Sequence, residues 1–250
     1  MSSIIEVKNL HQIYGEKTSK PYEALKGINL IIEKGEFVAI MGPSGSGKSS
    51  LLNILATLTK PTSGEVQVAG KNILSLTDDE MAKFRGKELG FIFQEYNLIE
   101  SLSVEENISL PLNLQNISPK KIKQEVGKVS ALLNLENQLS KRTHELSGGQ
   151  KQRVAAARAL VHHPDIIFGD EPTGALDSEN AREMMEYLSK INSEQNISIL
   201  MVTHDAFSAS FAQKIYFLAD GNVVKTITRN NDSREGFYKK ILSVLGNFNE

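Results

Sequence analysis

The sequence contains no cysteine, and aromatic residues make up only 6% of its 250 positions. The lack of cysteine excludes disulfide bonds and thiolate chemistry. No apolar run approaches the roughly 20 residues that a membrane-spanning helix needs, and the N-terminal residues lack the basic and apolar segments of a secretory signal. We therefore expect a cytoplasmic chain, for which any work at a membrane requires a partner that supplies the span.

Neither sign of charge is in excess, because 28 basic residues face 30 acidic ones and the net charge is −2. A nucleic-acid-binding domain usually carries a basic footprint, so no nucleic-acid partner is expected. The hydrophobic fraction of 40% is ordinary for a globular protein. The length allows one large domain, or one domain with a substantial insertion.

The spacing of apolar residues changes twice along the chain. Near the N-terminus, β-branched residues interrupted by glycine indicate strands, and the later runs IIFGD and ISILMV indicate strands buried on both faces of a parallel sheet. Between them, over about 95–160, capping residues and apolar positions at helical spacing indicate a helical insertion. We therefore predict one α/β domain over 1–250, with its core in 1–94 and 161–228. A short amphipathic helix over 236–248, ending near Phe248, is expected to pack on that core.

The segment GPSGSGKS fits the phosphate-loop pattern of a glycine, four residues, a glycine, a lysine and a hydroxyl residue. An apolar strand precedes it and a helical segment follows, which disfavours the alternative of a glycine-rich turn that only opens a helix. Its backbone N–H groups are expected to surround phosphates, with Lys48 on the β- and γ-phosphates and Ser49 on Mg²⁺. The residues predicted to bind nucleotide here are Gly42, Pro43, Ser44, Gly45, Ser46, Gly47, Lys48, Ser49 and Ser50.

Polar side chains follow the apolar strands at the edge where ligands bind in open α/β sheets. Asp170 is expected to assist Mg²⁺ and Glu171 to act as general base, the alternative being two surface carboxylates. His204 is positioned to contact the γ-phosphate, although a lone histidine is more often structural. Gln94 stands where the core gives way to the insertion. Its amide could bind Mg²⁺ or the attacking water, or it could be an ordinary loop residue. The sequence supports these two alternatives equally.

Together these residues resemble the nucleotide-binding subunits of ABC transporters. The segments GPSGSGKS, LSGGQ, IIFGDE and ALD, with Gln94 and His204, occur in the order and spacing of that family. The resemblance extends over essentially the whole chain. It implies an α/β fold with a P-loop NTPase core, in which a parallel sheet is joined to an antiparallel β-subdomain. It also implies an inserted helical subdomain that carries the signature LSGGQ.

The same resemblance implies ATP and Mg²⁺ as ligands, a head-to-tail dimer of two copies, and an integral membrane permease at the inner face of the cell membrane. In such a dimer the signature loop of one copy faces the nucleotide of the other. Tyr14 would stack on adenine, unless it is an ordinary strand-end aromatic, and Asp177 would cross the dimer interface. The signature residues assigned to the partner's nucleotide are Ser147, Gly148, Gly149 and Gln150, and those assigned to the metal are Ser49, Gln94 and Asp170.

Longer segments point to one branch of the family. FIFQEYNLIESLSVEENISLPL resembles the branch of macrolide exporters, lipoprotein-release complexes and peptide-antibiotic transporters, and HDAFSAS resembles its bacitracin-type subgroup. We therefore expect an ATPase that powers antimicrobial-peptide resistance, export or sensing, with lipoprotein-release, macrolide-export and cell-division ATPases as alternatives. DNA-repair and chromosome-organising relatives insert long coiled coils that this chain lacks, and ribosome-associated relatives generally carry two such domains.

Overall fold

The computed structural model describes residues 2–16 and 20–246, so the predicted position of Phe248 lies outside the described residues. Within them, four strands form an antiparallel sheet. These strands are β1 (Ser3–Tyr14), β2 (Tyr22–Glu33), β4 (Ser63–Val68) and β5 (Lys71–Asn72). Their spatial order is β2-β1-β4-β5. This is the antiparallel unit that the family resemblance implies.

The other strands of the described residues form a second sheet. They are β3 (Phe37–Met41), β6 (Leu89–Phe93), β7 (Ile166–Asp170), β8 (Ser198–Val202), β9 (Lys214–Ala219) and β10 (Asn222–Thr228). The order is β10-β9-β3-β8-β7-β6, with β9 to β6 parallel and β10 antiparallel at one edge. The predicted parallel core is confirmed.

Helices cover this sheet and fill the segment between β6 and β7. They are α1 (Lys48–Leu55), α2 (Asp78–Glu88), α3 (Val104–Leu114), α4 (Pro119–Leu132), α5 (Gly148–Leu160), α6 (Ser178–Gln195), α7 (Ala206–Ala209) and α8 (Arg234–Gly246). Three of them, α3 to α5, lie where the sequence predicts helices. The last helix begins two residues earlier than predicted, and buried Phe237 and Ile241 pack it on the core. Across the described residues, no helix is both long and apolar enough to cross a bilayer.

Successive side chains of the parallel strands enter two different apolar cores. In β3, Phe37, Ala39 and Met41 join the core that includes α3 to α6 and α8. Val38 and Ile40 join the core shared with α1 and the antiparallel sheet. Burying each large side chain contributes about 1.5–3 kcal/mol. Burial on both faces explains why these strands are continuous apolar runs. Their parallel direction places the loops that follow them at one edge of the sheet.

Candidate functional site

The phosphate loop joins β3 to α1 and lines a cavity of about 610 Å³. Gly47, the residue before α1, has a φ of 101°, and a Cβ there would lie 2.6 Å from the carbonyl oxygen of Ala24. Only glycine fits such a left-handed position against backbone. At Gly45 a Cβ would meet nothing within 4 Å, because the loop there borders open space. The loop therefore brings bare backbone to the cavity.

The first turn of α1 is available to an anion. Side chains cap α2, α3, α5 and α6, whereas α1 begins without a side-chain cap. The first N–H groups of a helix have no partner within the helix and carry its positive dipole end. Lys48, Ser49 and Ser50 of this turn line the cavity. The arrangement is that of a phosphate site at a helix N-terminus.

Lys48 adds a cation to the cavity. Its Nζ donates to the carbonyl oxygens of Gly42 and Pro43, both at 2.8 Å. Burial lowers the pKa of Lys48, and the carboxylates of Glu171 and Asp170 oppose this effect. Attraction to the two acids favours the charged lysine, but burial has the larger effect on its pKa. Lys48 and the free N–H groups suit the phosphates of a polyphosphate. The nearby carboxylate oxygens suit a hard metal cation bound to those phosphates.

Asp170, which is predicted to assist Mg²⁺, and Glu171, the predicted general base, lie at the end of β7. Burial is the main cause that raises the pKa of Asp170, the neighbouring Glu171 raises it further, and Lys48 opposes both. Glu171 has a φ of 45°, and its N–H donates to the carbonyl oxygen of Val202 at 2.9 Å. A non-glycine residue in this left-handed region carries strain, which concentrates at functional sites.

His204 approaches Glu171 from the adjacent strand. Its Nδ1 lies 2.9 Å from Glu171 Oε1, and both side chains line the cavity with the phosphate loop. This contact follows from the topology, because β7 and β8 are parallel neighbours with Asp170 opposite Val202. The structure thus brings the two predicted catalytic residues together at the predicted edge.

Gln94 and Tyr14 are not among the residues that line the cavity. Gln94 is exposed and follows β6 directly, with its side chain beside Gly174 in the loop after Glu171. Tyr14 is 41% exposed, and its hydroxyl donates to Ser50 Oγ at 3.1 Å. This contact places Tyr14 next to the phosphate-binding helix, and its role on adenine stays a prediction.

Tyr22 was not among the predicted site residues, but it lines the cavity and donates from its hydroxyl to the carbonyl oxygen of Gly45 at 3.2 Å. Tyr22 pairs with Tyr14 across the β1–β2 hairpin. Two aromatic residues thus stand side by side next to the loop. The only sequence signal was a tyrosine at the start of the second strand, and its meaning depends on the hairpin register.

The signature loop opens α5 and lies outside the chain's own cavity. Ser147 Oγ accepts from the N–H of Gln150 at 3.3 Å, and Gln150 Oε1 accepts from the N–H of Ser147 at 3.0 Å. This reciprocal capping box assigns the Gln150 side chain to the start of its own helix. Gly148 is exposed, whereas Gly149 is buried against Asn180 with no room for a Cβ.

Asp177 caps α6 in its own chain. Its Oδ1 accepts from the N–H groups of Asn180 and Glu179 at 2.9 and 3.1 Å. These bonds, led by that from Asn180, lower the pKa of Asp177. Asn180 also donates from its side chain to Asp177 at 2.7 Å, so it joins this loop to the signature helix. Asn180 was not among the predicted site residues, because an asparagine on a helix surface belongs to no motif.

The raised pKa of Asp170 predicts a gain in stability for Asp170→Asn. The folded state disfavours the ionised carboxyl, so its cost is absent below the unfolded pKa of about 3.9 and complete above the higher folded value. Because Asp170 is only half-buried, solvent screening keeps the gain modest. We expect the melting temperature at pH 7 to rise by about 1–4 °C and this difference to shrink towards pH 4. Calorimetry of the ligand-free protein between these pH values checks it, and a lower melting temperature at pH 7 would contradict it.

Comparison with known proteins gives consistent results. The family model described as "ABC transporter" matches residues 25–174. The chain is 45% identical to the bacitracin export ATP-binding protein BceA of Halalkalibacterium halodurans, over 98% of this chain and 96% of that protein. It is 41% identical to the macrolide export ATP-binding/permease protein MacB of Aggregatibacter actinomycetemcomitans, over 89% of this chain and 34% of that protein.

A solved structure is similar as well. The ATP-binding cassette MJ0796 of Methanocaldococcus jannaschii, described as a dimer in a post-hydrolysis state bound to ADP and Pi, superposes with a TM-score of 0.82. It is 41% identical to this chain, covering 90% of it and 98% of the solved chain. The phosphate loop, the side chains of Glu171 and His204 and the signature helix thus occur on a fold shared with an ATP-hydrolysing cassette. The chain belongs to the ABC transporter family, as an ATP-binding subunit that hydrolyses ATP.

Proposed function

We propose that this chain powers a membrane transporter that protects the cell against peptide antibiotics of the bacitracin type. The observation that carries the proposal is the 45% identity to a bacitracin export ATP-binding protein along nearly the full length of both chains. The segment HDAFSAS, which resembles the same subgroup, supports it. Such a function places the chain at the inner face of the membrane, held there by its permease.

In the proposed site, the N–H groups of the phosphate loop and Lys48 bind the phosphates of ATP. Glu171 accepts a proton from the attacking water, and His204 contacts the γ-phosphate. The 2.9 Å contact between these two side chains supports paired roles, because each fixes the other's orientation. Tyr14 stacks on the adenine, beside the helix that its hydroxyl already contacts.

Mg²⁺, when bound, would neutralise charge on the phosphates, and the proposed site has oxygen atoms that would hold it. Ser49 provides a hydroxyl, Gln94 an amide oxygen and Asp170 a carboxylate. Mg²⁺ in proteins is usually held by one or two such groups together with substrate phosphates. The position of Ser49 in the cavity and of Asp170 at the end of β7 supports this assignment.

We further propose that two copies associate head to tail, so that each signature loop completes the site of the other. Ser147 and Gly148 are exposed at the start of α5 and outside their own cavity, which supports a ligand supplied by a second chain. Because Ser147 Oγ accepts a bond from its own helix, its hydroxyl hydrogen is left to donate to a phosphate. Asp177 is exposed at the start of α6, and we propose that it lies at the same interface.

The permease is proposed to dock in a groove of about 880 Å³ between α2, β6, α3 and α5. In this groove the rings of Phe91 and Phe93 stack with their centroids 6.0 Å apart, and Leu114 at its rim is 76% exposed. The ionisable side chains that line the groove are Lys83, Arg85, Lys87, Arg158 and His162, and burial lowers the pKa of His162, which disfavours its charged form. An apolar floor with a basic rim favours a short amphipathic segment of the permease that carries acidic residues.

Deleting the gene in the organism that encodes this chain tests the proposed substrate. We expect the minimal inhibitory concentration of bacitracin to fall, while that of erythromycin stays unchanged. Expression of the parent chain should restore it, whereas the Glu171→Gln variant should not. The 41% identity to MacB makes macrolide export the second candidate, and loss of erythromycin resistance alone would establish that function instead.

A further inference from the structure

Gln152 lies on α5 and is fully buried. Its Nε2 donates to the carbonyl oxygen of Pro172 at 2.5 Å and to that of Phe93 at 3.3 Å. Pro172 directly follows Glu171, and Phe93 directly precedes Gln94. One amide group therefore joins the signature helix to the backbone of both loops that carry proposed reactive groups.

The orientation of this amide is fixed by its partners. Both are carbonyl oxygens, which only accept, so the NH₂ end must face them. The Oε1 atom is then buried and has no hydrogen-bond partner within the described part of the chain. Leaving such an acceptor buried and unpaired has an energetic cost. A hydrocarbon side chain of similar length would avoid that cost, so the amide points to a need for the two donated bonds.

A second residue of the same helix holds the rest of the Gln94 loop. Arg158 donates to the carbonyl oxygens of Tyr96 and Asn97 at 2.9 and 2.6 Å. Tyr96 and Asn97 both have positive φ values, of 63° and 46°, so the loop is held in a strained path. The Gln94 loop is thus attached to α5 on both sides of Gln94. Gln152 is the attachment that also reaches the Glu171 loop.

We propose that Gln152 is a positioning residue that couples binding of the partner's nucleotide to hydrolysis of the chain's own. This inference rests on the proposed head-to-tail dimer, in which the first turn of α5 contacts the partner's nucleotide. Gln152 lies five residues from Ser147, about 7 Å along the helix axis. A shift of the signature end therefore moves the carbonyl groups of Phe93 and Pro172 with it. For nucleotide binding at the two sites, such coupling is reciprocal.

Asn192 is a matched control for a buried amide with a purely structural role. It is 5% exposed, and its Nδ2 donates to the carbonyl oxygens of Gly35 and Ile197, both at 2.9 Å. Gly35 and Ile197 precede β3 and β8, so this bridge lies at the edge of the sheet opposite the site. Loss of either amide removes two bonds to backbone carbonyl groups, and loss of Asn192 also removes the bond that its Oδ1 accepts from Gln213 Nε2 at 3.5 Å. Only Gln152 joins the proposed sites.

The test compares Gln152→Met with Asn192→Leu in the full-length chain. ATP hydrolysis is measured against ATP concentration to give kcat, KM and the Hill coefficient, and melting temperature reports stability. We expect both variants to melt at lower temperature. For Gln152→Met alone, we expect kcat to fall about 10- to 100-fold and the Hill coefficient to approach 1, while KM changes less than about twofold. Asn192→Leu should keep the parental kcat and Hill coefficient.

A second variant keeps the inference testable if Gln152→Met fails to fold. In Gln152→Glu, an ionised carboxylate faces two carbonyl oxygens and repels both, whereas the protonated carboxyl regains one donor. The activity of this variant relative to the parent should therefore rise as the pH is lowered. A ratio that does not change with pH would contradict the inference.

Two failures are distinguishable. A parent chain that shows neither cooperative hydrolysis nor an ATP-dependent dimer would overturn the proposed dimer. A cooperative parent with an equally active and cooperative Gln152→Met variant would overturn the role of Gln152. If Asn192→Leu lost kcat equally, the effect of Gln152→Met would be explained by lost stability, and the proposed role of Gln152 would be overturned as well.

Discussion

Replacing Glu171 by glutamine should lower the rate of ATP hydrolysis by about 10²- to 10⁴-fold, the contribution typical of a positioned general base. Glutamine preserves the shape of the side chain but cannot accept the proton of the attacking water. It also lacks the carboxylate beside Lys48, which removes one charge that opposes ATP binding. The variant should therefore bind ATP and accumulate as a dimer, which size-exclusion chromatography with ATP and Mg²⁺ would show.

The control for Glu171→Gln is Lys48→Ala, which removes a cation from the cavity. Charge-assisted bonds of this kind contribute about 1.5–3 kcal/mol, so ATP affinity should fall about 10- to 150-fold and no ATP-dependent dimer should form. Loss of turnover with retained binding separates the general base from the phosphate ligand. A Glu171→Gln variant that turns over ATP like the parent would show that another group activates the water.

Replacing Gly148 by aspartate should leave ATP binding by a single copy intact and abolish hydrolysis. Gly148 is exposed at the start of α5 and outside its own cavity, so the new carboxylate does not touch the chain's own phosphate loop. In the proposed dimer it faces the partner's γ-phosphate, and like charges in such an interface cost several kcal/mol, or about 10²-fold or more. Fluorescent-ATP titration and steady-state hydrolysis measure the two properties separately.

Gly148→Ala separates charge from bulk in the same position. A Cβ at Gly148 would lie 3.0 Å from the hydroxyl oxygen of Tyr96, at the far end of a side chain. Because this contact is tight but adjustable, alanine should reduce hydrolysis far less than aspartate. Normal hydrolysis by Gly148→Asp would contradict the proposal that the signature loop completes the partner's site. Equal losses in both variants would assign the effect to bulk rather than charge.

Much of the fold could be predicted because its signals are local. Continuous apolar runs mark strands buried on both faces, and the phosphate loop is defined by eight consecutive residues between a strand and a helix. Asp170 and His204 follow such runs, and parallel strands bring their ends to one edge. The start of α8 was predicted two residues too late, because the spacing of apolar residues from Phe237 defined it. Ser233 caps this helix by accepting from the N–H of Gly236 at 3.1 Å.

The phosphate loop, the strand-end carboxylates of Asp170 and Glu171 and the signature helix could be predicted from the sequence, since each lies in residues close together in the chain. Which distant groups meet them depends on how the elements pack. Tyr22 reaches the cavity through the register of one hairpin, and Asn180 reaches Gly149 by the packing of α6 on α5. Gln152 donates to backbone 20 and 59 residues away. Backbone carbonyl groups are identical at every position, so no side-chain pattern in the sequence identifies the partners of a buried amide.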